Sequence, residues 1–221
     1  MSFTWTYSKL KNVEDCPRRH YELDIARNYK DGESEELVWG NYVHAELAKA
    51  CSTGNKLPAE LEPYQKWVDR VRRWNKGKLY VEQKYAITKT FEKSNWKAPA
   101  VWMRAIADVV YVEPPVAVTL DWKTGKILDN PVQLGLVAQC VFAMFPDVQI
   151  VASEYVWLKE DTTSGENFKR EDMKYLWSKL LPRVNDYEQR IATQRFEPKP
   201  GGLCKRYCPV TSCPHHGKGS R

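Results

Sequence analysis

The sequence predicts an α/β fold in which helices flank a mixed central sheet. Segments rich in β-branched and aromatic residues cluster in the middle of the chain, and helical patterns precede and follow them. A further helical segment separates the last strand from the others, which is typical of a mixed sheet. The chain has 221 residues, 43% of them hydrophobic, and no internal repeat, so we expect one compact domain with a sizeable core.

The first part of the chain is predicted to be helical. Ser8 is expected to cap a short helix, and Pro17 to open a second one. A third helix is expected over about 37–51. One of its faces carries Gly40, Val43, His44 and Leu47. A fourth, amphipathic helix has its apolar side formed by Leu61, Tyr64, Val68 and Val71.

Strands are expected next, at 79–88, 101–113 and 117–122, the last two forming an antiparallel pair around Pro114 and Pro115. The later elements are expected to be a helix over about 131–145 with Asn130 as its cap, a strand over 149–158 and a helix over about 168–193. The tail from Phe196 onward has no periodicity, so something other than core packing must order it.

Composition limits the expected cellular location of the protein and the kind of molecule that it binds. The chain has no apolar run of about eighteen residues and begins without a secretory signal, so we expect a cytoplasmic protein. In a reducing compartment its six cysteines are expected to be metal ligands or core residues rather than disulfides. A net charge of +6 favours a polyanionic partner such as nucleic acid, although charge alone does not decide this.

Two neighbouring strands carry charges among apolar residues. Asp108 lies on one strand, and Asp121 and Lys123 share a face at the end of the next. Buried charges are costly unless they are paired or bind a metal. An isolated D-x-K is usually an ion pair, but the second carboxylate favours a site. Two aspartates are ligands suited to Mg²⁺ or Mn²⁺, with the Trp122 carbonyl as a further ligand, and Lys123 could orient an attacking water for phosphodiester hydrolysis.

The order of these motifs resembles that of the RecB-like PD-(D/E)XK nuclease superfamily. The resemblance rests on three segments, namely Arg104-Ala105-Ile106-Ala107-Asp108, Leu120-Asp121-Trp122-Lys123-Thr124-Gly125 and Gln133-Leu134. It extends upstream to Trp39-Gly40-Asn41-Tyr42-Val43-His44. The resemblance implies a PD-(D/E)XK core in which His44 joins the metal site and Gln133 helps to bind the DNA or its scissile phosphate. This chain departs from the family pattern with Ala105 in place of glycine and Val137 in place of a tyrosine. Glu82, on the first predicted strand, could be a further acidic neighbour of the site, or it could be a solvent-facing strand residue.

The tail contains three closely spaced cysteines, Cys204, Cys208 and Cys213, for which Cys16 is the natural fourth partner. Zinc held by three cysteines and Cys16, His215 or His216 is one assignment. The set also resembles that of iron–sulfur RecB-like nucleases, which implies a 4Fe–4S cluster joining the two ends of the chain. Residues 1–30 and 196–216 would then form a staple around a nuclease core at 31–195. Cys51 and Cys140 are expected in the core.

The combined prediction is a metal-dependent DNA exonuclease, similar to phage and CRISPR-associated exonucleases, acting on single-stranded ends with 5′→3′ preference. The preference and the single-stranded substrate are what the resemblance implies. Basic residues at Arg18, Arg19, 70–78, Lys205 and Arg206 could line a groove for the strand. The competing interpretation is a non-catalytic, metal-stapled nucleic-acid-binding protein in recombination or CRISPR adaptation. An oligomer is compatible with either.

Overall fold

A computed structural model describes residues 3–128 and 130–218. The sheet has six strands, β1 (Lys78–Ile87), β2 (Lys93–Ser94), β3 (Met103–Glu113), β4 (Val116–Lys123), β5 (Ile150–Trp157) and β6 (Thr162–Lys169). The helices are α1 (Tyr7–Asp15), α2 (Pro17–His20), α3 (Glu35–Thr53), α4 (Gln65–Arg72), α5 (Val132–Met144), α6 (Met173–Thr193) and α7 (Leu203–Arg206). In space the strands follow the order β2-β1-β3-β4-β5-β6, and the β4–β5 pair is parallel while the other pairs are antiparallel. The predicted mixed sheet flanked by helices is therefore confirmed.

The chain divides into two compact units. The larger one, Ser34–Trp177, contains the whole sheet, and the smaller one combines Phe3–Glu33 with the chain from Ser178 onward. The prediction of a single nuclease domain, with a staple at 1–30 and 196–216, stays a prediction. Among the described residues, no helix has the length and apolar character that crossing a membrane requires.

Helix α3 is the element that carries His44 to the sheet. It begins where the Ser34 hydroxyl accepts a hydrogen bond from the Leu37 N–H, at 3.2 Å. It ends at Gly54, whose φ of 80° is a left-handed conformation that glycine adopts without strain. The helix extends two residues beyond the predicted 37–51 at each end.

The sheet is covered on both faces. On one face, α3 and α4 bury Val43, Leu47 and Val68 against Trp122 and its strand neighbours. On the other, Leu134 of α5 packs with Tyr155 and Trp157 of β5. Tyr155 and Trp157 are the register partners of Asp121 and Lys123. Because opposed residues share a face, Asp121 and Lys123 are directed to the α5 side of the sheet, and Trp122 to the α3 side.

Several predicted boundaries are wrong for local reasons. The cap of α1 is Thr6, whose hydroxyl accepts from the Lys9 N–H, and Ser8 lies inside the helix. The predicted fourth helix is divided, with a 3₁₀ turn over Ala59–Tyr64 before α4. Strand β6 was missed because its side chains are mostly exposed and show no apolar alternation, and α6 starts at Met173 rather than near 168. The N-cap of α5 is Pro131 rather than the predicted Asn130, although the Asn130 side-chain oxygen accepts a hydrogen bond from the Val132 N–H, at 3.1 Å.

The smaller unit is organised around a buried histidine. The His20 ring contacts the Asp24 carboxylate through Nδ1 and the Tyr187 hydroxyl through Nε2, both at 2.8 Å. The hydrogen bond from His20 lowers the pKa of Asp24, and burial raises the pKa of Tyr187. The Arg183 guanidinium also holds both carboxylate oxygens of Glu14, at 2.6 and 2.9 Å. These contacts connect α1 and α2 to α6 within this unit.

Candidate active site

The site is formed where β3 and β4 stop pairing. Their register ends at Val109 opposite Leu120, and the next residues along the two strands are Asp108 and Asp121. With no strand partner there, the Trp122 N–H donates instead to Asp108 Oδ2, at 2.7 Å. The carboxylate therefore occupies the opening between the strands. This local separation lets side chains from both faces of the sheet reach one place.

Asp121 belongs to a three-residue network on the α5 side. Its Oδ2 pairs with the Lys123 ammonium at 2.5 Å, and its Oδ1 accepts from Gln133 Nε2 at 2.9 Å. Lys123 in turn donates to Gln133 Oε1 at 3.1 Å. The ammonium also lies 5.0 Å from the centre of the Tyr155 ring, a cation–π distance. Lys123 thus has a fixed position next to the carboxylates while keeping part of its surface in solvent.

A second group of ligand atoms meets Asp108 from the α3 side. His44 Nδ1 lies 3.4 Å from Asp108 Oδ2. His44, Glu82 and Asp108 each offer a ligand atom, and these atoms all lie within 4.8 Å of one another. Ligands about 2 to 2.5 Å from one divalent cation are separated by up to about 5 Å, so the three atoms match the span of a single coordination sphere. One imidazole and two carboxylates suit Mn²⁺ and Mg²⁺.

The electrostatics reflect the crowding of acidic groups. Burial and the neighbouring charge of Asp108 raise the pKa of Asp121, although Lys123 opposes this. Burial and Asp108 raise the pKa of Glu82 as well. For His44, burial lowers the pKa, but the hydrogen bond and charge of Asp108 outweigh that effect and leave it raised. Three carboxylates at close range are costly without a compensating cation, which is what a metal site provides.

The backbone at Glu82 is strained. Its φ of 49° lies in the left-handed region although it sits in the middle of β1. For a residue other than glycine, this conformation costs on the order of 1 kcal/mol and persists only where the surroundings impose it. The strain aims the carboxylate toward His44 and Asp108. Glu82 also lines a cavity of about 620 Å³ that includes His44, Gly40 and Thr124.

Comparison with known proteins decides the family. Residues 4–214 match the family model of the PD-(D/E)XK nuclease superfamily. The chain belongs to this superfamily. No curated protein matches the chain by sequence.

Two solved structures are similar to this chain. A protein from Eubacterium rectale, provisionally described as an exonuclease, has 13% identity and a TM-score of 0.53, with 92% of this chain and 86% of that one covered. The protein SSO0001 has 14% identity and a TM-score of 0.43, with 97% of this chain and 87% of that one covered. At 13% identity, the likeness to the Eubacterium rectale protein concerns the fold alone.

Within this PD-(D/E)XK nuclease, the structure brings most of the predicted site residues together. His44 contacts Asp108, while Asp121, Lys123 and Gln133 contact one another. Asp108 accepts a hydrogen bond from the backbone N–H of Trp122, between Asp121 and Lys123, so the two groups are adjacent; the Trp122 carbonyl remains a predicted ligand.

Two neighbours of these groups have weak sequence signals or none. Glu82, for which the sequence left both an acidic neighbour and a solvent-facing residue open, is exposed and also has its carboxylate beside His44 and Asp108. Tyr155 follows Lys123 by 32 positions, and only the parallel pairing of β4 and β5 makes them neighbours. The positive φ of Glu82 had no sequence signal, because glutamate rarely adopts it.

The four cysteines of the predicted cluster line one cavity in the smaller unit. Cys16, Cys204, Cys208 and Cys213 surround it, together with His215 and His216 among others. Backbone N–H groups of Lys199 and Gly201 donate to the sulfurs of Cys16 and Cys204, each at 3.4 Å. Burial, together with the nearby Cys16 and Cys204, raises the pKa of Cys208. None of the six cysteines forms a disulfide, and Cys51 and Cys140 are buried in the core as predicted.

Three of the basic residues proposed for a nucleic-acid groove have acidic partners. Arg70 makes two hydrogen bonds to Glu154, at 2.7 and 2.8 Å. Arg18 pairs with Glu22 at 2.6 Å. Arg19 pairs with Asp31. These cations are therefore partly neutralised within the protein, which reduces the field they offer to a phosphate backbone.

Proposed function

We propose that this chain is a metal-dependent deoxyribonuclease of the RecB-like branch, acting as an exonuclease on single-stranded ends. The observation that carries the proposal is the convergence of His44, Asp108, Asp121, Lys123 and Gln133 at the opening between β3 and β4. Membership of the superfamily and the fold shared with the Eubacterium rectale protein support it. The 5′→3′ preference belongs to the proposal through the resemblance of the motifs.

The residues fit a divalent cation. His44, Glu82 and Asp108 offer ligand atoms at the spacing of one coordination sphere, and Asp121 adds a further carboxylate beside Asp108. A bound Mg²⁺ or Mn²⁺ would supply charge neutralisation at the phosphate and a lowered pKa for a bound water.

The protein's own groups then have separable tasks. The Lys123 ammonium, held by Asp121 and Gln133, is placed to donate to the attacking water and to the charge that develops on the phosphate. Gln133 holds Asp121 and Lys123 in place, because its side-chain amide donates a hydrogen bond to Asp121 and accepts one from Lys123. Asp108 is fixed by the Trp122 N–H, so its orientation does not depend on the substrate.

Digestion of end-labelled DNA tests this function. Wild-type protein, Lys123→Ala and the charge-matched control Lys97→Ala, which removes an exposed lysine outside the site, would be compared with Mg²⁺, Mn²⁺ and a chelator. We expect cation-dependent cutting that falls at least about 100-fold in Lys123→Ala and persists in Lys97→Ala. The order in which labelled products appear gives the polarity.

Either of two results would contradict the proposal. Equal cutting by Lys123→Ala and wild type would remove the lysine from the chemistry. Folded wild type that binds DNA and cuts none of the substrates with either cation would make the non-catalytic binding protein the better description.

We propose further that Cys16, Cys204, Cys208 and Cys213 hold a 4Fe–4S cluster. The four cysteines line one cavity, and their resemblance to the cysteine set of iron–sulfur nucleases supports the cluster. The backbone N–H groups that donate to the sulfurs of Cys16 and Cys204 support it too, because hydrogen bonds to sulfur are a feature of cluster sites.

Anaerobic purification tests the cluster. We expect brown protein with broad absorption in the blue, bleached by dithionite, and about four irons per chain by metal analysis. Cys213→Ser should lose iron, while Cys140→Ser should keep it because Cys140 lies in the core. Colourless protein containing one zinc per chain would contradict this assignment and leave the nuclease proposal standing.

A further inference from the structure

One face of the β1–β3 pair carries cations near the candidate site. In the strand register, Lys84 lies opposite Ile106 and Ala86 lies opposite Arg104. Residues opposed across two strands share a face, and so do residues two apart on one strand. Lys84 and Arg104 therefore lie on the same face, each next to Ile106. The Ile106 side chain is 45% exposed and Lys84 is also exposed, so this part of the face is open to solvent.

The Trp96 ring lies against both cations. The ring centre is 5.9 Å from Lys84 Nζ and 5.3 Å from Arg104 Cζ, and an aromatic face attracts a cation at such distances. Arg104 Nε also donates a hydrogen bond to the Trp96 carbonyl oxygen, at 2.9 Å. Both cations are thus held in place before a ligand binds, which lowers the entropy lost on binding. We define Lys84, Trp96, Arg104 and Ile106 as the basic strand face.

The cations of the basic strand face are not neutralised within the described part of the chain. Over residues 3–128 and 130–218, neither Lys84 nor Arg104 forms an ion pair with a carboxylate. By contrast, Arg18, Arg19 and Arg70 each pair with an acidic side chain. A surface cation without an acidic partner offers its full charge to an anion from solution.

The basic strand face begins next to the candidate cation ligands. Lys84 follows Glu82 by two residues on β1, and Arg104 precedes Asp108 by four on β3. At about 3.3 Å per residue, these separations are about 7 Å and about 13 Å along the strands. Burial and the charge of Asp108 raise the pKa of Glu82, and Lys84 is one of the cations that oppose this rise, so its ammonium acts on a ligand group.

We propose that the basic strand face binds the phosphate backbone of the DNA strand whose phosphodiester bond lies at the cation ligands. The inference rests on the proposed nuclease function and identifies a path for the strand beside the site. Phosphates of a stacked strand are about 3.4 Å apart along its axis, so the two cations would meet phosphates about two to four nucleotides from the scissile one. Contacts to phosphate carry no sequence information, so this binding is independent of the bases. Ile106 adds apolar contact between the cations.

The salt dependence of binding tests this face without depending on turnover. Fluorescence anisotropy would measure the affinity for labelled oligo-dT and oligo-dC at several salt concentrations. Ca²⁺ would be held low and constant, and a denaturing gel would confirm that the DNA is intact. The variants are Lys84→Ala, Arg104→Ala, the double variant and Arg104→Lys. The charge-matched control is Lys169→Ala, which removes an exposed lysine from β6 at the other edge of the sheet.

Thermal unfolding would show that each variant is folded. Because Lys84 is exposed, Lys84→Ala keeps the test valid even where Arg104→Ala fails to fold.

We expect each alanine variant to reduce the slope of log K against log salt concentration by about 0.7 in magnitude, the value for one phosphate contact in a single strand. At about 0.1 M salt this corresponds to about a fivefold loss of affinity, and to about 25-fold in the double variant. The loss should be equal for oligo-dT and oligo-dC. Arg104→Lys should retain most of the wild-type slope because it keeps the charge, and Lys169→Ala should match wild type.

Four results would overturn the inference. Wild-type affinity and slope in the double variant, while wild type cuts DNA, would remove the basic strand face and leave the nuclease proposal intact. A lower affinity with an unchanged slope would assign the loss to altered structure rather than to phosphate contacts. An equal loss in Lys169→Ala would show that net charge alone acts. Wild type that neither binds nor cuts DNA would remove both proposals together.

Discussion

Replacing Asp121 by asparagine should stabilise the cation-free protein while abolishing hydrolysis. The carboxylate is buried beside Asp108, and these two effects outweigh its ion pair with Lys123, so its pKa rises from the ordinary 3.8 to about 6. Asparagine keeps the size of the side chain and removes the charge. In the proposed function, the protein gives up stability here for a cation site.

The magnitude follows from the pKa. Each factor of ten in proton affinity corresponds to about 1.4 kcal/mol, so ionised Asp121 costs the folded state about 3 kcal/mol at pH 7. Relaxation around Lys123 reduces the gain, and we expect the asparagine variant to be more stable by about 2 kcal/mol. Because the folded state binds the proton more tightly than the unfolded state, wild-type stability falls as pH rises from about 4 to about 6. The variant should lack this fall.

Urea denaturation in EDTA, followed by tryptophan fluorescence across this pH range, measures both effects. The same experiment with saturating Mn²⁺ should reverse the order, since wild type gains about 3 kcal/mol at a cation concentration of about 100 times Kd and the variant gains less. A variant less stable than wild type in EDTA at pH 7 would refute the reasoning. The Lys123–Asp121 pair would then be a net stabilising ion pair.

Three further predictions concern the site and its support. Glu82→Gln should lower Mn²⁺ affinity about tenfold by calorimetry, because it removes one of three closely spaced ligands, and unchanged affinity would exclude Glu82 from the site. Asp24→Asn should lower the stability of the protein by about 1 kcal/mol at pH 6. Because the pKa of Asp24 is lowered in the folded state, the difference between variant and wild type should shrink as the pH falls through that pKa. Thermal unfolding measures this, and an equal loss at pH 6 and pH 3 would contradict it. Trp177→Phe should destabilise the larger unit by about 1 to 2 kcal/mol, because the variant loses the 2.8 Å hydrogen bond from the indole N–H to the buried Gln139 side chain. Urea denaturation measures this loss. A smaller effect than that of the exposed control Tyr175→Phe would count against the prediction.

Local pattern was enough for the elements with strong periodicity. Helix α3, strands β3 and β4 and helix α5 were predicted within a few residues because their apolar periods are clear. Strands β2 and β6 were missed since the first has two residues and the second is an exposed edge strand held by backbone pairing to β5. Backbone hydrogen bonds leave no side-chain pattern to read.

The residues of the candidate site also fall into those that the sequence predicted and those that only the structure brought to the site. The sequence by itself was enough to predict the α/β class and to single out Asp108, Asp121 and Lys123 through the order of the family motifs. Strand alternation also placed Asp121 and Lys123 on one face. Only the tertiary structure decided which side chains from distant segments meet them. Glu82 joins His44 through a strained backbone, and Tyr155 reaches Lys123 across a parallel strand pair. Such neighbours depend on register and on a local loss of strand pairing, which are set by the packed sheet as a whole rather than by any short stretch of chain.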